Sequence, residues 1–124
     1  FIIEEPEMNL FPETQRDLVY HLLNKCLERK GNRLTITTHS PYILYALNNC
    51  MMAGLVYDKM DEESKSRLKC GTSKISPSDV SIYEIREGVV KRLQKEDGLI
   101  QDNYFDQQMG KLMDDFYLML NYYP

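Results

Sequence analysis

The stretch that most constrains the chain is its first seven residues, Phe1-Ile2-Ile3-Glu4-Glu5-Pro6-Glu7. Three large apolar residues run into two adjacent carboxylates, and a proline and a third carboxylate follow. A continuous apolar run with a β-branched pair reads as a strand buried on both faces, as in a parallel sheet. Pro6 ends it. In open α/β sheets ligands bind at the carboxyl ends of such strands, where Glu4 and Glu5 sit. Side chains alternate along a strand, so the two carboxylates point different ways and can take different jobs. A solvated acidic strand end would carry the same residues.

Downstream, Pro12 suits the first turn of a helix, with Glu13 and Asp17 near its positive amino end. Leu18, Val19, Leu22, Leu23, Cys26 and Leu27 form one apolar stripe, and Gly31 supplies the stop. A helix is expected over 12–30, with His21 on its surface and without a role. Arg33-Leu34-Thr35-Ile36-Thr37-Thr38 is a second β-rich run. It ends in His39-Ser40-Pro41, where Ser40 is a good N-cap and Pro41 a good first helical residue. Ile43, Leu44, Ala46, Leu47, Cys50 and Met51 continue as an amphipathic helix. Strand, helix, strand and helix in this order imply a parallel pair with a right-handed crossover. His39 then lies at the same sheet edge as Glu4 and Glu5. A lone histidine at a helix start is usually a solvated or capping residue; the shared edge is what singles this one out.

The order and spacing of Phe1–Glu7, Met8-Asn9-Leu10-Phe11-Pro12 and Ile36–Pro41 resemble the carboxyl-terminal half of an ABC-type ATPase domain, nearest in pattern to the SMC-like and OLD-like ATPases. The matching pieces are the Walker B strand, the D-loop and the switch-histidine loop, over about Phe1–Leu47. The fold class that the resemblance implies is α/β, the carboxyl-terminal part of a P-loop NTPase fold, in a single unit covering residues 1–124. By the same resemblance Glu4 is the carboxylate on the magnesium side, where most of the superfamily has aspartate. Glu5 polarises the attacking water, and His39 touches the γ-phosphate. Asn9 and Ser40 are nucleotide-side contacts, Asn9 through a D-loop that reaches across a nucleotide-sandwich dimer. Glu7 is either a D-loop contact or a solvated turn residue. ATP and magnesium are the implied cofactors. The implied partner is a second copy or another subunit, with an indirect link to nucleic acid as one output.

The chemistry suits those roles. Phosphoryl transfer needs positioning and charge stabilisation more than covalent chemistry. Magnesium takes one or two carboxylates and keeps several waters. A helix amino terminus beside His39 favours an anion. The rest of the sequence limits the alternatives. A net charge of -4 over 124 residues gives no electrostatic footprint for nucleic acid or an anionic membrane. No apolar run approaches the ~20 residues of a membrane span. Cys26, Cys50 and Cys70 contain no C-x-x-C pair and read as reduced core thiols of a cytoplasmic protein. A non-catalytic interaction module and the nucleotide-binding subunit of a transporter are the competing readings. The first sits poorly with Glu4, Glu5 and His39 all present, the second with the Glu-Glu-Pro-Glu form.

Beyond Met51 the signals soften. A short helix is expected over 52–60 and a solvated loop over 61–77. A β-hairpin follows, Val80–Arg86 turning at Glu87-Gly88 into Val89–Leu93. Residues 94–101 read as a loop. A last helix is capped by Asn103, with a packing stripe of Phe105, Met109, Leu112, Phe116 and Leu120.

A chain that opens inside a strand is expected to be a piece of a longer protein, with the phosphate-binding loop, glutamine loop and signature helix ahead of Phe1. No G-x-x-x-x-G-K-S/T occurs in these residues. By the resemblance, the strand 33–38 then shows an open edge, where dimerisation, strand borrowing or local disorder is expected. The chain by itself is expected neither to bind nor to hydrolyse ATP measurably. Titration with magnesium ATP checks this, and micromolar binding contradicts it.

Overall fold

The computed structural model describes all of Phe1–Pro124. It is a mixed α/β structure with a small parallel sheet and a β-hairpin. Strand β1 (Ile2–Glu4) leads through a tight turn into helix α1 (Pro12–Leu27). Strand β2 (Thr35–Thr37) follows, then helix α2 (Pro41–Val56). β1 and β2 are parallel, pairing Ile2 with Thr35, Ile3 with Ile36 and Glu4 with Thr37. Bonds beyond the strands lengthen the ladder: Thr35 N–H donates to Phe1 C=O at 2.9 Å and Glu5 N–H to Thr37 C=O at 2.8 Å.

The expectation of a strand covered on both faces is not met. Ile3 and Ile36 are half-buried, but Ile2, Glu4, Thr35 and Thr37 on the other face are exposed, Ile2 at 78%. The reason is the size of the sheet: two strands have no third neighbour, and nothing in the chain covers their second face.

The core lies between the helices. Val19 and Leu23 of α1 meet Ile43, Ala46, Cys50 and Ala53 of α2, with Cys70 closing the cluster. These are the i, i+4 and i, i+3 positions of each helix, so each presents one apolar face. Burial pushes the Cys50 thiol up to about 12, which keeps it neutral and inert. A second cluster joins Leu44 and Met51, on another side of α2, to Ile82 and Leu93 of the hairpin region.

Helix α2 does not break near Met51. It runs unbroken to Val56 and ends in a single 3-10 turn, Tyr57–Lys59. Gly54 sits inside it without stopping it, since an isolated glycine only weakens a helix. Its place has a packing reason: a Cβ there would lie 2.1 Å from the Ile75 carbonyl oxygen.

Residues 61–77 are not a solvated loop. Asp61 caps a short helix α3 (Glu62–Arg67), accepting from the Ser64 amide at 2.8 Å. Cys70, Ser73 and Pro77 are buried. Ser73 is tolerated there because its hydroxyl donates to Tyr20 C=O at 2.6 Å.

The hairpin forms as expected, β3 (Tyr83–Arg86) against β4 (Val89–Arg92). Glu87 and Gly88 both take positive φ, 51° and 77°, the signature of a primed turn that matches strand twist. The following loop is organised by buried Gln94. Its Oε1 accepts from the Ile82 amide at 3.1 Å, and its Nε2 donates to Val80 C=O at 3.1 Å and Gly98 C=O at 2.8 Å.

Helix α4 (Tyr104–Leu120) starts at Asn103, whose side chain accepts from the Phe105 and Asp106 amides. The helix is docked only at this end. The Tyr45 hydroxyl donates to Asp106, which pushes that phenol up to about 12 with help from burial. Arg86 stacks over Tyr104 at 4.4 Å. The expected packing stripe is not packed: Phe105 is half-buried, but Met109, Leu112, Phe116 and Leu120 are exposed. Nothing else in the chain reaches past the second turn. No helix is long and apolar enough to cross a membrane.

Gly54→Ala is expected to destabilise the protein by about 1–3 kcal/mol through overpacking against Ile75, although alanine is the better helix former by about 1 kcal/mol. Urea unfolding measures it, and equal or higher stability contradicts the close approach.

Candidate functional site

The site is built where the two parallel strands end. β1 stops after Glu4 because Glu5 takes φ 47°, in the left-handed region that side chains with a Cβ rarely adopt. Two overlapping turns follow: Met8 N–H donates to Glu5 C=O at 3.1 Å and Leu10 N–H to Glu7 C=O at 3.0 Å. Asn9 has φ 62°, which asparagine accepts more readily than most residues. Extended Phe11 and then Pro12 start α1. On the other strand, β2 gives way to Thr38-His39-Ser40, and Ser40 caps α2 by accepting from the Tyr42 amide at 3.2 Å.

These two turns are tied together. Glu5 Oε1 accepts from His39 Nδ1, joining residues from the ends of two strands. The Glu5 side chain is 32% exposed and that of His39 87% exposed. With Nδ1 engaged by a carboxylate, the Nε2 end of the ring is the one left to other partners. Ser40 Oγ donates to Gln15 Oε1, and Gln15 Nε2 donates to Leu10 C=O at 2.9 Å. The acidic turn, the start of α1 and the start of α2 therefore share one polar network.

Glu7 is the residue that sequence reasoning left undecided. It is neither solvated nor a loose turn residue. It is 8% exposed, and its Oε1 accepts from the Thr38 hydroxyl at 2.6 Å and the His39 amide at 2.9 Å. Its Oε2 is buried with no partner in the chain. An acceptor left in that state costs about 1–3 kcal/mol.

Of the five residues singled out from the sequence, Glu5, His39 and Ser40 belong to this network. Glu4 lies beside Glu5 on the exposed face of β1 and is solvent-facing. Asn9 is an exposed turn residue. Gln15 is the member that was missed, and Glu7 the one left open. The one signal for Gln15 was a polar residue at a helical position that the neighbouring stripe places inward.

No three His, Cys, Asp or Glu side chains gather closely enough to enclose a metal ion. The donor set fits magnesium only as part of a shell. Glu4 offers one open carboxylate, which matches a cation that takes one or two carboxylates and completes its octahedron with phosphate oxygens and water. A shallow groove lined by Pro12, Arg16, Tyr42 and Tyr45, among others, runs between α1 and α2 next to the site. Comparisons with protein-family models, with curated proteins and with solved structures gave no match to this chain.

Proposed function

We propose that these residues form the carboxyl-terminal half of an ABC-type ATPase site, which acts on magnesium ATP once a phosphate-binding half is supplied. The observation that carries the reading is the Glu5–His39 contact at the common end of two parallel strands. It puts a carboxylate and an imidazole on one rim, and Glu4 precedes Glu5 in the chain on the exposed face of β1.

Each residue has a task in that reading. Glu5 orients the attacking water; its Oε1 is held by His39, which leaves Oε2 for the water. The Nε2 end of His39 faces a γ-phosphate oxygen, to which it donates when the ring is charged. Ser40 starts α2, whose first amides and dipole favour the negative triphosphate. Asn9 stands on the turn that would face a second ATPase half. Glu4 is the residue that would hold magnesium, whose charge stabilises the oxygens of the transferring phosphoryl group. The phosphate grip itself is not among these residues.

The working unit is then a dimer, with a second copy or another subunit closing the nucleotide between two halves, and its seat is the cytoplasm. DNA is reached, if at all, through other parts of the assembly, since the charge of this chain is -4.

The reading is tested by joining these residues to the phosphate-binding half and comparing wild type with Glu5→Gln. Turnover is expected to fall by about 10²–10⁴-fold while nucleotide affinity is unchanged, because a general base has been removed and no binding group lost. Unaltered turnover contradicts the assignment.

A further inference from the structure

The imidazole of His39 is too exposed to be oriented by packing. One side-chain contact holds it, Nδ1 to Glu5. Where the ring points is therefore decided by where its backbone sits. That backbone is held on both sides. Glu7 Oε1 takes the His39 amide and the hydroxyl of Thr38 before it. The Thr38 hydroxyl oxygen accepts from the Ser40 amide at 3.0 Å, and the Ser40 hydroxyl goes to Gln15. Residues 38, 39 and 40 are thus each tied, directly or through a neighbour, to the acidic turn or to α1.

Glu7 is the centre of this arrangement. It is one residue past Pro6, on the same turn as Glu5, so one rigid segment carries both the group that holds the His39 backbone and the group that holds its ring. Hydrogen bonds to an ionised acceptor are shorter and stronger than neutral ones, which suits a clamp. Stability alone gives no reason for a carboxylate here. Its second oxygen is buried without a donor, and an uncharged acceptor would hold Thr38 and His39 less strongly but at a smaller desolvation cost.

We propose that Glu7 is the positioning residue of the site: it fixes the Thr38–His39 backbone so that Nδ1 meets Glu5 and Nε2 stays open. The inference rests on the ATPase reading only for what Nε2 then touches. The clamp is a property of the chain without nucleotide.

Nitrogen-15 NMR of the His39 ring and amide in the 124-residue protein tests it. In the wild type the His39 amide is expected to exchange slowly, and the neutral ring to carry its proton on Nδ1. Glu7→Ala is expected to speed exchange of that amide by about tenfold or more, the effect of losing a charge-assisted bond. It is also expected to move the ring proton to Nε2, the tautomer of unconstrained histidines. Glu5→Gln moves the tautomer but leaves the amide protected, which separates the two contacts. A Glu7→Ala protein that is less stable yet keeps the His39 tautomer and amide protection of the wild type overturns the proposal. If Glu7→Ala does not fold, Glu7→Gln decides: a neutral acceptor is expected to give faster exchange at His39 in an intact fold, and unchanged exchange overturns the proposal. Failure of the joined protein to hydrolyse ATP, with the clamp seen by NMR, tells against the ATPase reading and not against Glu7.

Discussion

The parallel pairing of β1 with β2 is the constraint on which the rest of the structure depends. The two strands are only three residues long each, and their register sets which residues emerge together. Because Glu4 lies opposite Thr37, the turns that follow begin level with each other, and Glu5 can reach His39. Side-chain direction in a strand has a period of two, so a slip of one residue would put Ile3 and Ile36 on opposite faces and carry the carboxylates away from the imidazole. Little apolar burial supports this sheet, since one of its faces is bare. Its register is held instead by the polar ties beyond the strand ends, from Glu7 to Thr38 and His39 and from Gln15 to Ser40.

That division explains how a sparse core and a well-defined site coexist. Apolar burial is concentrated between α1 and α2 and where α2 meets the hairpin region. Both helices start at the site, α1 after the acidic turn and α2 at Ser40, so the packed helices carry the two turns and fix their separation. Within the site, positive φ falls at Glu5 and Asn9, in the turn between β1 and α1. Strain of that sort persists only where surrounding contacts hold it, and at Glu5 those contacts are the ladder bond to Thr37 and the bond to His39.

Much of the element order was legible because local chemistry decides it. Pro12 opens α1, although the helix ends at Leu27, short of Gly31; Ser40-Pro41 opens α2, Glu87-Gly88 makes the hairpin turn and Asn103 caps α4. The misses share another cause: they depend on partners far along the chain. Glu7 is buried only because Thr38 and His39 lie above it, more than thirty residues on. Ser73 looked like loop polarity and is a core residue because Tyr20 supplies an acceptor. The stripe of α4 read as packing because periodicity reports a face but not what covers it, and here Met109, Leu112 and Phe116 face solvent. Likewise, an apolar run such as Phe1-Ile2-Ile3 says that burial is favourable but not that the chain supplies the cover. Of the site, the Glu5–His39 pairing at the strand ends was readable from motif order; the burial of Glu7, which holds the Thr38–His39 backbone, was not.

The most direct measurement of the central claim is the scalar coupling across a hydrogen bond, observed by NMR between the amide nitrogen of Glu5 and the carbonyl carbon of Thr37. The structure puts that N–H 2.8 Å from that oxygen, and a resolved coupling between these two residues is the predicted result. A coupling from Glu5 to a different residue, or a Glu5 amide that exchanges as freely as an unstructured one, would mean that the strands do not end level and that Glu5 and His39 share no site.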